Sequence, residues 1–553
     1  MRFTRGSDPF DLHSRSLHFS WAAASGVLLA LSFPKYGHPA FGWIALTPLL
    51  VALSGNPHSL PLGRAFPLGL VTGVVYFTGT LYWITRVMAV YGGLQQWVAV
   101  LVNAALIAYL ALFPAVFAAV TRRIVIAHGR PALMAAPLVW VATELGRTHI
   151  LTGFPWVLLG YSQTTVLPIA QLASLFGVYG VSMLVAAVSS ALAVAASGPG
   201  RNGTPEGAPY GPSYVRRRFL PSYVGPRFSG AGRFFPLVVV FTIVIAVAVW
   251  GSRRAAGAEW TRAGEPIRVG LIQGNVQQGQ KWDPNLASTI FTDYLGRSRQ
   301  AIREGAEFVL WPESAAPFLF NEDTASADRV RALAREARVP ILVGSDEVEW
   351  RPTDRGRVPD KFFNSAFLVR ADGSTAGVYR KMHLVPFGEY VPLQKLLFFA
   401  APLTEQVGTF APGLDPALLP VNGHPISVAI CYEVVYPDLV RRFVAGGSEM
   451  LTTITNDAWF GPTSAPYQHF EQASMRAIEE GRYMVRAANT GISGIVDPYG
   501  RVLERSDIFQ ATVLVGEARF LRTSTFYARH GDILAYASVV MTAALLLLAR
   551  RQA

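Results

Sequence analysis

Cysteine is nearly absent. The chain has 553 residues and one Cys, Cys431, which excludes an intramolecular disulfide and any cysteine-rich metal site. No His is followed by Glu, so there is no HExxH zinc motif, and no Gly-Lys pair exists to build a P-loop. No metal and no cofactor is expected. Charge is also scarce: 15% of residues are charged, against roughly 25% in soluble domains. Hydrophobic residues make up 51% and the mean hydropathy is +0.31, so much of the chain is expected in a bilayer. The net charge of +12 raises nucleic acid as a partner. The arginines, however, fall between apolar stretches and in the C-terminal half and form no continuous basic face, so topology explains them better. Lysine is rare as well, five among 48 basic residues.

A chain this long exceeds one ordinary core, so at least two domains are expected. Residues 1–16 are polar, with Arg2, Arg5 and Arg15, and no small-residue cleavage pattern precedes the first apolar run. This reads as a retained first helix and not a signal peptide. Apolar segments follow at 18–33, 40–54, 65–87, 96–120, 132–147, 166–197 and 234–251, with a last at 531–549. The second is short for a span of ~20 residues and reads as tilted or re-entrant; the expectation is about eight spans. Arg64, Arg122, Arg123, Arg130, the linker arginines, Arg550 and Arg551 fall in alternate gaps, the same set as the N-terminus. The positive-inside rule then sets both termini in the cytoplasm and the 252–530 segment outside, in the periplasm of a bacterium.

The expected domains are therefore 1–197 with the first six helices, 234–251 as the seventh, 252–530 as an outer catalytic domain, and 531–553 as the eighth helix and a cytoplasmic tail. Residues 198–233 are rich in Gly, Pro, Ser, Tyr and Arg and read as a flexible cytoplasmic linker. From about 266 the pattern becomes α/β. Strands are expected at 267–273, 307–311, 340–344, 365–370, 375–380, 426–431, 450–455, 491–497 and 512–517. Helices are expected at 284–304, 324–338, 437–445 and 466–487. Alternation argues for a layered α/β architecture, and the Asp372-Gly373 hairpin signal makes the sheet mixed.

Cys431 ends an apolar, β-branched run, where strand gives way to loop. Alone it reads as a small buried hydrophobe, but an unpaired thiol in an oxidising compartment is a liability, and a strand end suits a nucleophile. A thiolate needs a group that lowers its pKa or takes its proton. His383, His424 and His469 lie in this domain without local context marking any as that partner. Glu313 follows Phe308-Val309-Leu310-Trp311-Pro312; desolvation there would raise its pKa and suit a general base, although a plain strand-end carboxylate is also possible. Lys381 would be a compact charge for a developing oxyanion, or a solvated lysine on a hairpin edge.

The ordered set says more than its members. Trp311-Pro312-Glu313, then Arg380-Lys381-Met382-His383-Leu384-Val385-Pro386-Phe387-Gly388-Glu389-Tyr390-Val391-Pro392, then Cys431-Tyr432-Glu433 resembles the Glu–Lys–Cys group of the nitrilase superfamily. The long lysine motif beside so many apolar spans resembles one branch, the apolipoprotein N-acyltransferases. Leu151-Thr152-Gly153-Phe154-Pro155-Trp156, Gly160-Tyr161-Ser162-Gln163, Gln273-Gly274-Asn275 and Thr455-Asn456-Asp457-Ala458-Trp459-Phe460-Gly461 extend the likeness over nearly the whole chain; the 198–233 linker departs from it. The resemblance implies an αββα sandwich on a helical membrane base, and an acyl chain passed from a phospholipid through Cys431 to the amine of a diacylglyceryl-cysteine apolipoprotein. The expected catalytic residues are Glu313, Lys381 and Cys431. Glu389, Glu433 and Tyr432 would support them, and Trp282 would contact lipid or be an ordinary exposed aromatic. Glu144 and Arg147 would pair with each other or line a lipid entry. The expected protein is a monomer in contact with membrane lipid. Two rivals stand: a membrane-tethered amidase or nitrilase-type hydrolase, and a transporter or lipoprotein-binding scaffold with an inert outer domain.

Overall fold

The computed structural model describes residues 9–55, 60–197, 232–354, 356–386, 388–390 and 410–551. Nearly all of the expected 198–233 linker, and Phe387, Val391 and Pro392 of the lysine motif, lie outside the described residues.

All eight apolar segments contain helix, but not eight membrane-length helices. Among the described residues four are long and apolar enough to cross a membrane: Gln96–His128, Ala173–Ala196, Gly232–Thr261 and Ile533–Arg551. A fifth arises if Leu62–Leu81 and Trp83–Val90, bent by 53°, form one span. The second segment is divided into Ala40–Ile44 and Thr47–Leu53, with Pro48 starting the second piece. Ala136–His149 has only 14 residues and carries Glu144, Arg147 and His149. Phe235, Val238, Ile245, Val540 and Leu547 point outward, an apolar exterior that water would not favour. Arg122, counted above as a topology charge, is buried and donates to the Leu53 and Gly55 carbonyls, each at 2.7 Å, capping the end of the short Thr47–Leu53 helix.

The C-terminal half contains two six-stranded mixed sheets, ordered β12-β1-β2-β3-β4-β5 and β11-β10-β9-β8-β7-β6. In the first, β1 (Glu265–Gln273), β2 (Phe308–Leu310) and β3 (Ile341–Thr353) run parallel, while β4 (Gly356–Val369), β5 (Thr375–Arg380) and β12 (Thr512–Phe520) pair antiparallel. In the second, β7 (His424–Ile430), β8 (Met450–Thr455) and β9 (Met484–Ala488) are the parallel centre, and β6 (Leu419–Val421), β10 (Gly494–Val496) and β11 (Val502–Arg505) flank it. Period-two alternation builds the layers. Val269, Leu271, Phe308 and Leu310 share a core with Val428 and Ile430 of the other sheet. Ile272, Val309 and Trp311 face the helices Pro284–Arg303 and Thr324–Ala337. Helices Pro437–Ala445 and Ala465–Glu480 cover the second sheet. The result is an αββα sandwich.

The helix expected over 466–487 stops at Glu480. Gly481 takes φ +63° and its N–H caps the Ala477 carbonyl, after which Met484–Ala488 forms β9. That strand is buried throughout, so it lacks the alternation that signals a strand, and its two alanines suit a helix. Strands β6 and β11 sit at sheet edges and are too short to show a pattern.

Candidate active site

The site is assembled where β2, β5, β7 and β8 end. Past β2 the chain stays attached to β3, with Trp311 N–H donating to Leu342 O at 2.9 Å. Gly344 makes this approach possible: a Cβ there would lie 2.0 Å from the Pro312 carbonyl. Glu313 thus leaves the strand edge pointing inward and is buried.

Lys381 follows β5, its backbone N–H bound to Asn364 O at 2.8 Å. Its Nζ reaches Glu389 Oε1 at 2.8 Å and Glu313 Oε1 at 3.3 Å. Asn364 Nδ2 donates to the same two oxygens, at 2.7 Å to Glu313 and 3.2 Å to Glu389. Glu313 Oε2 accepts the Asn456 N–H at 2.8 Å, so both of its oxygens are engaged.

Cys431 follows β7 at the start of a one-turn helix, Cys431–Val435, with φ +52°. Glu433 ties this turn to the lysine loop. Its Oε1 accepts from Tyr379 Oη–H at 2.8 Å, Met382 N–H at 2.7 Å and His383 N–H at 3.1 Å, and its Oε2 accepts from Ile430 N–H at 2.7 Å. Burial pushes its carboxyl up to about 7 against those donors. Glu389 Oε2 accepts the Val385 N–H at 2.8 Å. Glu389 and Glu433 therefore brace Lys381 and the Cys431–Val435 turn respectively.

Burial alone would raise the Glu313 carboxyl, as the sequence led us to expect. The ammonium groups of Lys381 and Lys281 and the Asn364 and Asn456 donors overcome it, and the net direction is down. Burial disfavours charge on Lys381, but Glu389 and Glu313 outweigh it and hold the ammonium protonated. Burial pushes the Cys431 thiol well up; Glu313 adds to this, and Lys381 opposes it. At rest the three groups are a carboxylate, an ammonium and a neutral thiol.

The three histidines take other positions. His383 packs on Tyr436 with ring centres 3.8 Å apart, and burial lowers its pKa to about 4. His424 bridges Glu449 and Glu265 at 2.6 and 3.1 Å. His469 reaches the backbone oxygen of Cys431 at 3.1 Å.

Lys281, which no motif marks, also reaches the site. It is 5% exposed, whereas its neighbour Trp282 is 49% exposed. Its Nζ donates to the Glu313 carbonyl at 3.2 Å. Burial lowers its pKa while Asp346 and Glu313 pull it back, and burial in turn lifts Asp346 to about 6. Lysine is rare in this chain, and that rarity is the one sequence signal that Lys281 shares with Lys381.

The helical base forms part of the site wall. Tyr432 stacks near Trp156, centres 6.4 Å apart, and Phe154 lies 6.3 Å away. Tyr436 Oη–H donates to Gly153 O at 3.0 Å, and Trp156 Nε1–H to Gln468 Oε1 at 2.8 Å. Glu144 and Arg147 form no ion pair with each other among the described residues. Glu144 Oε1 accepts the Leu159 N–H at 2.7 Å, and Arg147 Nη1 donates to Trp156 O at 2.7 Å. An expensive buried carboxylate and guanidinium are thus used to hold the 154–159 loop under Tyr432. Among the described residues no group of His, Cys, Asp and Glu could hold a metal ion.

Comparison with known proteins covers both halves. A family model described as the apolipoprotein N-acyltransferase N-terminal domain matches residues 25–191, and one described as carbon-nitrogen hydrolase matches residues 268–524. The apolipoprotein N-acyltransferase of Geobacter metallireducens is 41% identical over 96% of this chain and 95% of its own length. Those of Methylococcus capsulatus and Pseudomonas aeruginosa are each 33% identical over 92% of this chain, and over 92% and 91% of their own lengths.

Proposed function

We infer the reaction from one premise: the chain belongs to the apolipoprotein N-acyltransferase family. It is a membrane acyltransferase that moves a fatty acyl chain from a lipid donor to a lipoprotein acceptor. The donor is a phospholipid and the acceptor atom is the N-terminal amine of a diacylglyceryl-cysteine.

In the first step Sγ of Cys431 attacks the ester carbonyl and its proton passes to Glu313. The oxyanion is held by the Lys381 ammonium and by a backbone N–H beside Cys431. Collapse breaks the ester C–O bond, Glu313 returns the proton to the departing oxygen, and lysophospholipid leaves a thioester on Cys431. In the second step the acceptor amine attacks that thioester and Glu313 takes a proton from the nitrogen. The C–S bond breaks, and the thiolate recovers the proton. One site serves both substrates in turn, so the kinetics are ping-pong.

The observation that carries this reading is the shared lysine: Nζ of Lys381 lies 3.3 Å from Glu313 Oε1 and 2.8 Å from Glu389 Oε1, and both it and Glu313 act on the Cys431 thiol. At rest, proton transfer from a raised thiol to a depressed carboxylate is uphill. When an oxyanion draws Lys381 toward itself, its hold on Glu313 weakens, and Glu313 becomes a stronger base at the moment of attack. Tyr432 forms the wall between the thiol and the loop of the helical base. Trp282, on an exposed loop next to Lys281, contacts the lipid.

The topology that goes with this chemistry has both termini in the cytoplasm, residues 1–197, 234–251 and 531–553 as the membrane part, and residues 252–530 on the periplasmic side. A single chain forms the site, and it acts as a monomer. The hydrolase reading keeps the same three residues but gives no role to the aromatic wall that residues 154–156 build against Tyr432. Purified protein given a labelled phospholipid and a diacylated lipopeptide distinguishes them: N-acylated peptide supports the transferase, and free fatty acid without it supports the hydrolase.

A further inference from the structure

Directly behind the nucleophile lies a buried polar cluster that the mechanism above does not use. His469, Asp457 and Arg486 are each 0% exposed. His469 Nε2 is 3.1 Å from the Cys431 carbonyl oxygen. Its Nδ1 is 3.0 Å from Asp457 Oδ1 and 3.0 Å from Arg486 Nη2. Arg486 Nη2 donates to Asp457 Oδ2 at 2.9 Å, and Thr455 Oγ1–H donates to Asp457 Oδ1 at 2.9 Å. A carbonyl oxygen only accepts, so Nε2 carries the hydrogen whether the ring is neutral or protonated. The cluster is closely built: at Gly491 a Cβ would lie 2.1 Å from Asp457 Oδ2.

Cys431 needs such support. Its φ of +52° lies in the left-handed region that disfavours a non-glycine residue and persists only where the surroundings fix it. On one side Glu433 holds the Ile430 N–H at 2.7 Å; on the other His469 holds the Cys431 carbonyl. In a trans peptide the carbonyl and the next N–H point in opposite directions. Turning the Cys431 carbonyl toward His469 therefore turns the Tyr432 N–H away from it. Tyr432 is the second residue of the Cys431–Val435 turn, and an N–H in that position has no acceptor within the helix.

We propose that His469 is a positioning residue for acyl transfer: by holding the Cys431 carbonyl, it aims the Tyr432 N–H at the substrate oxyanion. Asp457 and Arg486 fix the ring that does this. The proposal rests on Cys431 being the acyl carrier. It also predicts a separation of two reactivities. Thioester formation passes through an oxyanion; alkylation of the same sulfur by iodoacetamide does not.

The test compares both rates in the full-length protein and in His469→Phe and His469→Gln. In His469→Phe, thioester formation from phospholipid should fall about a hundredfold or more, the loss typical of one oxyanion donor. The phospholipid KM and the alkylation rate should stay within about twofold to threefold. His469→Gln keeps an N–H within reach of the carbonyl and should recover acylation to within roughly tenfold of the parent. Parallel loss of alkylation and acylation in the folded variants, or acylation in His469→Phe within a few fold of the parent, overturns the proposal. If His469→Phe does not accumulate, loss of both rates in His469→Gln overturns it as well. A parent protein that turns over without any thioester refutes the reading of Cys431 and this proposal with it, an outcome visible before any variant is made.

Discussion

Lys281 Nζ lies 3.2 Å from the carbonyl oxygen of Glu313, the residue proposed as base. It also helps Lys381 keep that carboxyl depressed. Removing it in Lys281→Met should let the Glu313 pKa rise. A group whose folded pKa lies below its unfolded value loses its ionised form as pH falls through the folded value. The acidic limb of kcat/KM should therefore move to higher pH in the variant. A full pH–rate profile checks this; an unmoved acidic limb would mean that Lys281 only packs.

Lys381 is one ammonium serving two carboxylates and, in the proposed mechanism, an oxyanion. A planar guanidinium does not replace a compact point charge there. Lys381→Arg should lose about a hundredfold or more in kcat, comparable to the loss of an oxyanion donor. Single-turnover acylation measures it, and activity within tenfold of the parent would remove Lys381 from that role.

Glu433 accepts four donors from both sides of the site. In Glu433→Gln one oxygen becomes an NH2 that faces buried donors, and each buried donor left unpaired costs about 1–3 kcal/mol. The melting temperature should drop by several degrees and thioester formation by at least roughly tenfold. Unchanged melting and activity would argue against Glu433 as a brace.

Trp282 is 49% exposed, so its contribution should lie in binding. Trp282→Ala should raise the phospholipid KM several-fold and leave kcat within about threefold. A fall in kcat at constant KM would point to a role at the reacting atoms instead.

Much of this arrangement was legible in the sequence because the motifs sit where strands end. Pro312-Glu313 after β2, Lys381 after β5 and Cys431 after β7 are local features, and the likeness between motifs linked them across the chain. Asn364, which joins Glu313 to Glu389, lies inside β4 and looks like any strand asparagine. His469 lies within a helix, and its target is a backbone oxygen, which leaves no trace in side-chain pattern. The depression of Glu313 could not be read from its apolar neighbours, because the charges responsible come from positions 281 and 381. Hydropathy likewise does not register that Glu144 and Arg147, within an apolar segment, hold the 154–159 loop.

The most direct test of the central claim is mass spectrometry of the intact protein and its peptides after incubation with phospholipid and no acceptor. A fatty-acyl mass on the Cys431 peptide is expected, removed by hydroxylamine or by a diacylated lipopeptide and absent from Cys431→Ala. Acyl transfer to the lipopeptide by Cys431→Ala, or an adduct on any other residue, would contradict the account.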